Sequence, residues 1–129
     1  MKTEELSGAN LDYWVAKAEG IEHPPCLREM QPGCCLVKVE DQDEEGTVSR
    51  WVAFQPSSTW AVAGPIIDRE KLELTPLYDM RNRFVYWSSQ PAGKGNLAMT
   101  DGDPLVAAMR AYVAGKFGDE VDDLTDHPA

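Results

Sequence analysis

Phe54-Gln55-Pro56-Ser57-Ser58-Thr59-Trp60-Ala61-Val62-Ala63-Gly64-Pro65-Ile66-Ile67 is a polar, proline-bounded stretch with one indole at its centre. An apolar, strand-like run, Trp51 to Phe54, enters it, and the apolar pair Ile66-Ile67 leaves it. Pro56 and Pro65 each fix φ and remove a backbone donor, so the stretch reads as a loop stiffer than its length suggests. Gly64 stands before a proline, which biases it toward extended backbone. Ser57, Ser58 and Thr59 supply hydroxyls that can cap the local chain or face a ligand. The pattern is that of a binding loop, set between strands on one side and a charged segment on the other. An ordinary surface connection with Trp60 anchored in the core would look the same.

Upstream of this loop, Cys35 to Glu40 alternates Cys35, Val37 and Val39 against Leu36, Lys38 and Glu40, the period of a strand with one apolar face. Asp41 to Gly46 is an acidic turn and Val48 to Phe54 a second strand, so the two make an antiparallel hairpin with its acidic tip in water. Ile21 to Gly33, with Pro24, Pro25, Pro32 and Gly33, reads as loop. Before it, Leu11, Trp14, Val15 and Ala18 fall at helical spacing and predict a helix over Asn10 to Glu19, closed by Gly20. Trp14, on the apolar stripe, is a packing group.

Downstream, Asp68-Arg69-Glu70 fits a short helical turn. Leu72 to Thr75 fits a third strand ended by Pro76. Arg83 to Trp87 fits a fourth, with Phe84 and Tyr86 on one face and Val85 and Trp87 on the other. Ser88 to Gly102 reads as a long connection, of a length usual for functional loops or lids. Asp103-Pro104 opens a final helix as N-cap and N1. Its stripe is Leu105, Ala108, Met109, Tyr112, Val113 and Phe117, and Gly115 should weaken its last turns unless close packing needs it. The expected fold class is α+β: a small antiparallel sheet of about four strands, with an N-terminal and a C-terminal helix packed on it. Residues 1–121 make one domain, and 122–129 an acidic, frayed tail.

The chain of 129 residues carries a formal net charge of −10. That disfavours direct nucleic-acid binding and attraction to an anionic membrane, and permits mimicry of nucleic acid. No apolar run is long enough to span a membrane, and the acidic start is not a secretory signal. Cys26, Cys34 and Cys35 are an odd set with two neighbours, a poor disulfide framework and more simply reduced thiols.

Asp41-x-Asp43-x-Glu45-Gly46 begins like a calcium loop but has Val52 where a bidentate Glu is required. His23 with Cys26, Cys34 and Cys35 lacks the usual zinc spacing. Neither His23 nor His127 sits in a triad context, and there is no phosphate-binding Gly loop. No metal or cofactor is expected, and the enzyme question leans to no. What remains is aromatic and hydroxyl chemistry: Trp51, Trp60, Tyr86 and Trp87, with Arg50, Arg69, Arg81 and Arg83 nearby.

Three segments carry a family resemblance. They are Leu11 to Gly20, then Pro56-Ser57-Ser58-Thr59-Trp60 with Gly64-Pro65-Ile66-Ile67, then Asp103 to Ala114 running into Lys116 to Val121. Together they resemble the NinX-type family of small phage and prophage proteins. Ser58 and Thr59 stand where that family usually has Thr and Asp, and Ala63 replaces a Gly. The resemblance implies a phage origin and life in the host-cell cytoplasm, and supplies no activity or catalytic residue. Some small phage proteins sequester nucleotide signals of bacterial defence in aromatic-lined pockets at subunit interfaces. This chain is similar to them in size and in lacking catalytic groups.

The expected function is therefore that of a non-enzymatic phage accessory protein. Its Trp60 loop binds a small nucleotide-like ligand or a host protein, in a counter-defence role, through Ser57, Ser58, Thr59, Trp60 and Arg69. Homo-oligomers are left open. The alternative is an acidic nucleic-acid mimic that blocks a host DNA-binding protein.

Overall fold

In the computed structural model, residues 1–21, 25–28 and 34–122 are described, with only the backbone of Cys26 and Arg28. Helix α1 spans Gly8–Ala18 and helix α3 Pro104–Phe117, close to the two helices expected from periodicity. Between them lie strands β1 (Cys26–Arg28), β2 (Cys34–Asp43) and β3 (Gly46–Ala53), helix α2 (Trp60–Glu70), and strands β4 (Glu73–Tyr78), β5 (Phe84–Gln90) and β6 (Met99–Asp101). The α+β class stands, with both terminal helices packed on sheet. The strands form two three-stranded antiparallel sheets, in the orders β1-β2-β3 and β4-β5-β6.

The organising stretch is mostly helix. The loop shrinks to residues 54–59, and Trp60 is the first residue of α2. Pro65 sits inside that helix. A proline there removes one hydrogen bond and crowds the preceding turn, yet burial of Ala63 and Ile66 in the core holds the segment helical. Asp68-Arg69-Glu70 is the last turn of α2, and Lys71 closes it in the left-handed region at φ 53°.

Pro76 does not end the third strand: β4 runs through it, with Pro76 opposite Trp87. β4 is an edge strand, where the missing N–H leaves no ladder bond unmade. The stretch from Ser88 to Gly102 is no open lid. β5 continues to Gln90, a 3₁₀ turn follows at Gly95–Leu97, and β6 pairs with β5. Part of the expected loop from Ile21 to Gly33 is strand β1, whose Leu27 lies opposite Cys35. His23 and the tail 123–129 lie outside the described residues, as does the Cys26 side chain.

Helix α3 is the hub. It touches α1, α2 and all three strands of the second sheet. Eight of its residues are buried, among them Leu105, Met109, Tyr112 and Val113, so its apolar surface extends beyond a single stripe. Asp103 caps it, accepting from the N–H of Leu105 at 2.8 Å. Arg110 leaves this helix to donate to Leu6 O at 2.7 Å and Thr100 O at 2.9 Å, tying the N-terminal segment and β6 to α3. Residues near the two ends of the described chain clasp each other: Thr3 N–H donates to Asp119 O and Val121 N–H to Met1 O, both at 2.9 Å. Val121 belongs to the core. Cys35 is buried and Cys34 half-buried, neither in a disulfide.

Candidate functional site

The turn Gln55–Thr59 is held from beneath by Asp12 of α1. The Asp12 carboxylate is buried and accepts the N–H of Ser57 at 2.8 Å. Burial pushes the Asp12 pKa up to about 6, against the hydrogen bonds from Ser57 that favour its ionised form. Ser57 is buried and faces this anchor. Ser58 is exposed, and its hydroxyl lies 3.5 Å from Gln55 O. Thr59 is the N-cap of α2: its carbonyl accepts from Val62 and Ala63, while its hydroxyl makes no cap bond.

Trp60, 55% exposed, therefore projects from a turn pinned at both ends. Ala61 and Pro65 are exposed beside it and Gly64 is half-buried, so the outer face of α2 is a smooth apolar ledge. Gly64 has an ordinary negative φ, and a Cβ there would meet nothing within 4 Å. The fold asks for a glycine only through Pro65, whose ring would crowd a preceding Cβ in helical backbone. Nothing in the packing asks for Pro65, which is exposed.

Arg69 lies nine residues further along α2, about 13 Å from Trp60 at the rise of an α-helix. It grips Glu19, the C-cap of α1, through two nitrogens, at 3.2 and 2.5 Å, and Glu70 through a third at 2.8 Å. Tyr112 of α3 donates its hydroxyl to Glu19 at 2.5 Å, and the Arg69 guanidinium lies 5.9 Å from its ring centre. Lys116 stands 3.8 Å from Glu70. Two carboxylates and two cations thus balance. Burial alone would raise Glu19, but the hydrogen bonds from Arg69 and Tyr112 outweigh it and hold its carboxyl below the usual range. Burial and the Glu19 carboxylate push the Tyr112 hydroxyl well above its ordinary value, so it is no nucleophile or base at neutral pH. The cluster is a knot joining α1, α2 and α3, with its charge already matched.

The expected site residues therefore fall into three environments. Ser58 and Trp60 face outward together, Ser57 and Thr59 hold the turn, and Arg69 belongs to the knot. Asp12 was not singled out from the sequence; its spacing of three and four residues from the buried Val15 and Ala16 was the available signal that it faces inward. Glu19 and Tyr112 carried no local signal, since they lie 50 and 43 residues from their shared partner Arg69.

The other rings sit on the two hairpins. Trp51, on β3, is 45% exposed. On the β4–β5 hairpin a bulge at Leu77/Tyr78 breaks the alternation expected over Arg83 to Trp87. Phe84 lies 5.8 Å from Trp87 and 6.3 Å from Tyr78, instead of standing with Tyr86 against Trp87. At that hairpin's tip Asp79 accepts the N–H groups of Arg81 and Arg83, each at 2.9 Å. A pocket of 110 Å³ lined by Lys2, Glu4, Met99, Asp119 and Glu120 lies at the terminal clasp. Ligand pockets for drug-sized molecules are roughly 300 Å³ and more. Among the described residues no group of three His, Cys, Asp or Glu side chains could hold a metal ion, and no helix is long and apolar enough to cross a membrane.

The sequence profile of a family described as Bacteriophage P22, NinX matches residues 2–116. No curated protein matches the chain. The matched span takes in α1, the Trp60 turn, α2 and nearly all of α3, and the chain belongs to this phage family.

Proposed function

We propose that this NinX-family chain is a non-enzymatic phage accessory protein that binds a host protein in the host cytoplasm through the outer face of α2. The observation that carries the reading is Trp60, 55% exposed on a pinned turn, next to Ala61, Gly64 and Pro65. A large rigid ring beside a flat apolar ledge is the anchor-and-platform pattern of protein recognition, where Trp is over-represented among the residues that dominate affinity. The Gly64-Pro65 pair strengthens it. Both are poor helix formers, and an exposed helix that retains them leaves its backbone open to close approach. Ser58 would hydrogen-bond at the rim, Ser57 and Thr59 position the turn, and Arg69 borders the face. A phosphate-bearing ligand is the weaker choice, because Arg69 already holds Glu19 and Glu70.

The test immobilises the full chain and compares wild type with Trp60→Ala and Gly64→Arg for capture from host lysate, alongside thermal shifts with a nucleotide panel. Loss of one host protein in both variants, with unchanged circular dichroism, is the expected outcome. A nucleotide shift abolished by Trp60→Ala would replace the protein partner with a small ligand. Capture undiminished in both variants sinks the α2 face. The mimic reading draws on the exposed Asp43, Glu44 and Glu45 at the β2–β3 tip. It requires salt-sensitive capture that survives Trp60→Ala and fails on charge reversal at Glu44 and Glu45.

A further inference from the structure

The β2–β3 hairpin projects from the body: from Glu40 through Trp51 every residue is exposed. β3 is an edge strand, and among the described residues no strand or helix lies along its outer side. The other long edge, β4, is blunted by Pro76 and by the bulge at Leu77/Tyr78. β3 has neither device. Gly46–Ala53 pairs with β2 in unbroken register and contains no proline and no lysine.

The direction of its backbone groups follows from the turn. Asp43 lies opposite Gly46 across a two-residue turn, which makes this a hydrogen-bonded pair. Phe54, eight residues on and in the same phase, donates its N–H to Cys35 O at 2.9 Å. Gly46, Val48, Arg50 and Val52 therefore turn their N–H and C=O groups toward β2. Thr47, Ser49, Trp51 and Ala53 turn theirs to the open side.

We infer that β3 pairs antiparallel with β3 of a second copy of this chain, about a twofold axis through Ser49, joining two three-stranded sheets into one. Outward groups must meet outward groups, so only registers pairing Thr47, Ser49, Trp51 and Ala53 among themselves qualify. Two of these overlap over nearly the whole strand. The one centred on Arg50 sets two guanidinium-bearing residues directly opposite, a repulsive placement. The one centred on Ser49 pairs Ser49 with Ser49, Thr47 with Trp51, and Val48 with Arg50. It forms about six interchain backbone hydrogen bonds, two for each of three pairs. Each exposed Trp51 then lies across from a β-branched Thr47, a favourable cross-strand pair. The antiparallel arrangement also sends the two acidic turns, Glu44-Glu45, to opposite ends of the joined sheet. This self-complementarity is why the occupant is a second copy: one strand supplies both partners in a closed, isologous contact.

Sedimentation velocity of the full chain across a concentration series reads the mass directly, with amide hydrogen exchange in parallel. A concentration-dependent dimer is expected, in which the Thr47, Ser49 and Trp51 amides exchange at least about tenfold more slowly than in the dilute monomer. Association should strengthen with salt, because each chain carries a net charge of −10 that screening relieves. Ser49→Pro removes a donor that the hairpin itself does not use, and should leave a folded monomer. If that variant does not fold, the exchange of the wild-type amides decides alone. A monomer at every concentration overturns the inference. So does a dimer in which those three amides stay fast, or one that Ser49→Pro leaves intact.

Discussion

The Asp12 carboxyl is buried beneath the Trp60 turn, and desolvation lifts its pKa from 3.8 to about 6. A folded-state pKa above the unfolded one means that the folded chain holds the proton more tightly. The stabilisation is fully present below about pH 4 and is lost as pH rises through about 6, an effect of about 3 kcal/mol. Asp12→Asn should keep the acceptor for Ser57 N–H and remove this loss, so that denaturant melts of the variant no longer show stability falling as pH rises through about 6. Glu19 has the opposite sign: its lowered pKa contributes stability above its ordinary value of 4.5 that is lost as pH falls. Gly115 is a second residue whose role packing decides. A Cβ there would meet Pro91 carbons at 3.1 and 3.3 Å, and Pro91 is buried. Gly115→Ala should therefore fail to deliver the roughly 1 kcal/mol that helix propensity promises, and a thermal melt showing a gain would contradict this packing.

At the scale of elements, α2 trades stability for its exposed face. Pro65→Ala restores a helical hydrogen bond to the Ala61 carbonyl and should stabilise the fold by on the order of 1 kcal/mol. Trp60→Ala, at an exposed ring, should change stability by less than about 1 kcal/mol while weakening partner binding by about 2 kcal/mol or more. Equilibrium unfolding and a binding titration on the same samples separate the two effects. Arg110 behaves differently. Its side chain is 12% exposed and ties α3 to Leu6, Thr100 and Asp101. Arg110→Ala should cost about 2–3 kcal/mol in urea unfolding, with little rescue by Lys, which cannot reproduce the fork of donors.

Across the whole molecule, two projecting hairpins and the α2 ledge surround a core built on α3. Helices were legible from sequence because an amphipathic or strongly apolar 3.6-residue period is a local signal, as over Leu11 to Ala18 and Leu105 to Val113. The β2–β3 hairpin was legible from alternation and an acidic turn. α2 was not, because Pro56, Gly64 and Pro65 are breaker signals that tertiary burial of Ala63 and Ile66 overrides. The continuation of β4 past Pro76 escaped because a proline ends a central strand but not an edge strand, and edges are defined only once the sheet exists. β6 and β1 are three residues each, too short to show a period.

The residues by themselves determined the α+β class, the two terminal helices, the acidic hairpin and the resemblance to the phage family, all of which rest on local periodicity, composition and motif. Only the tertiary structure decided that Ser57 is an internal anchor bound to Asp12, that Arg69 is consumed by Glu19 and Tyr112, and that Trp60 stands outward on a helix. Those outcomes depend on which side chains from distant parts of the chain meet. A carboxylate 45 residues from its partner leaves no trace in local spacing, because the hydrogen bond forms only when packing against α3 has brought both helices together.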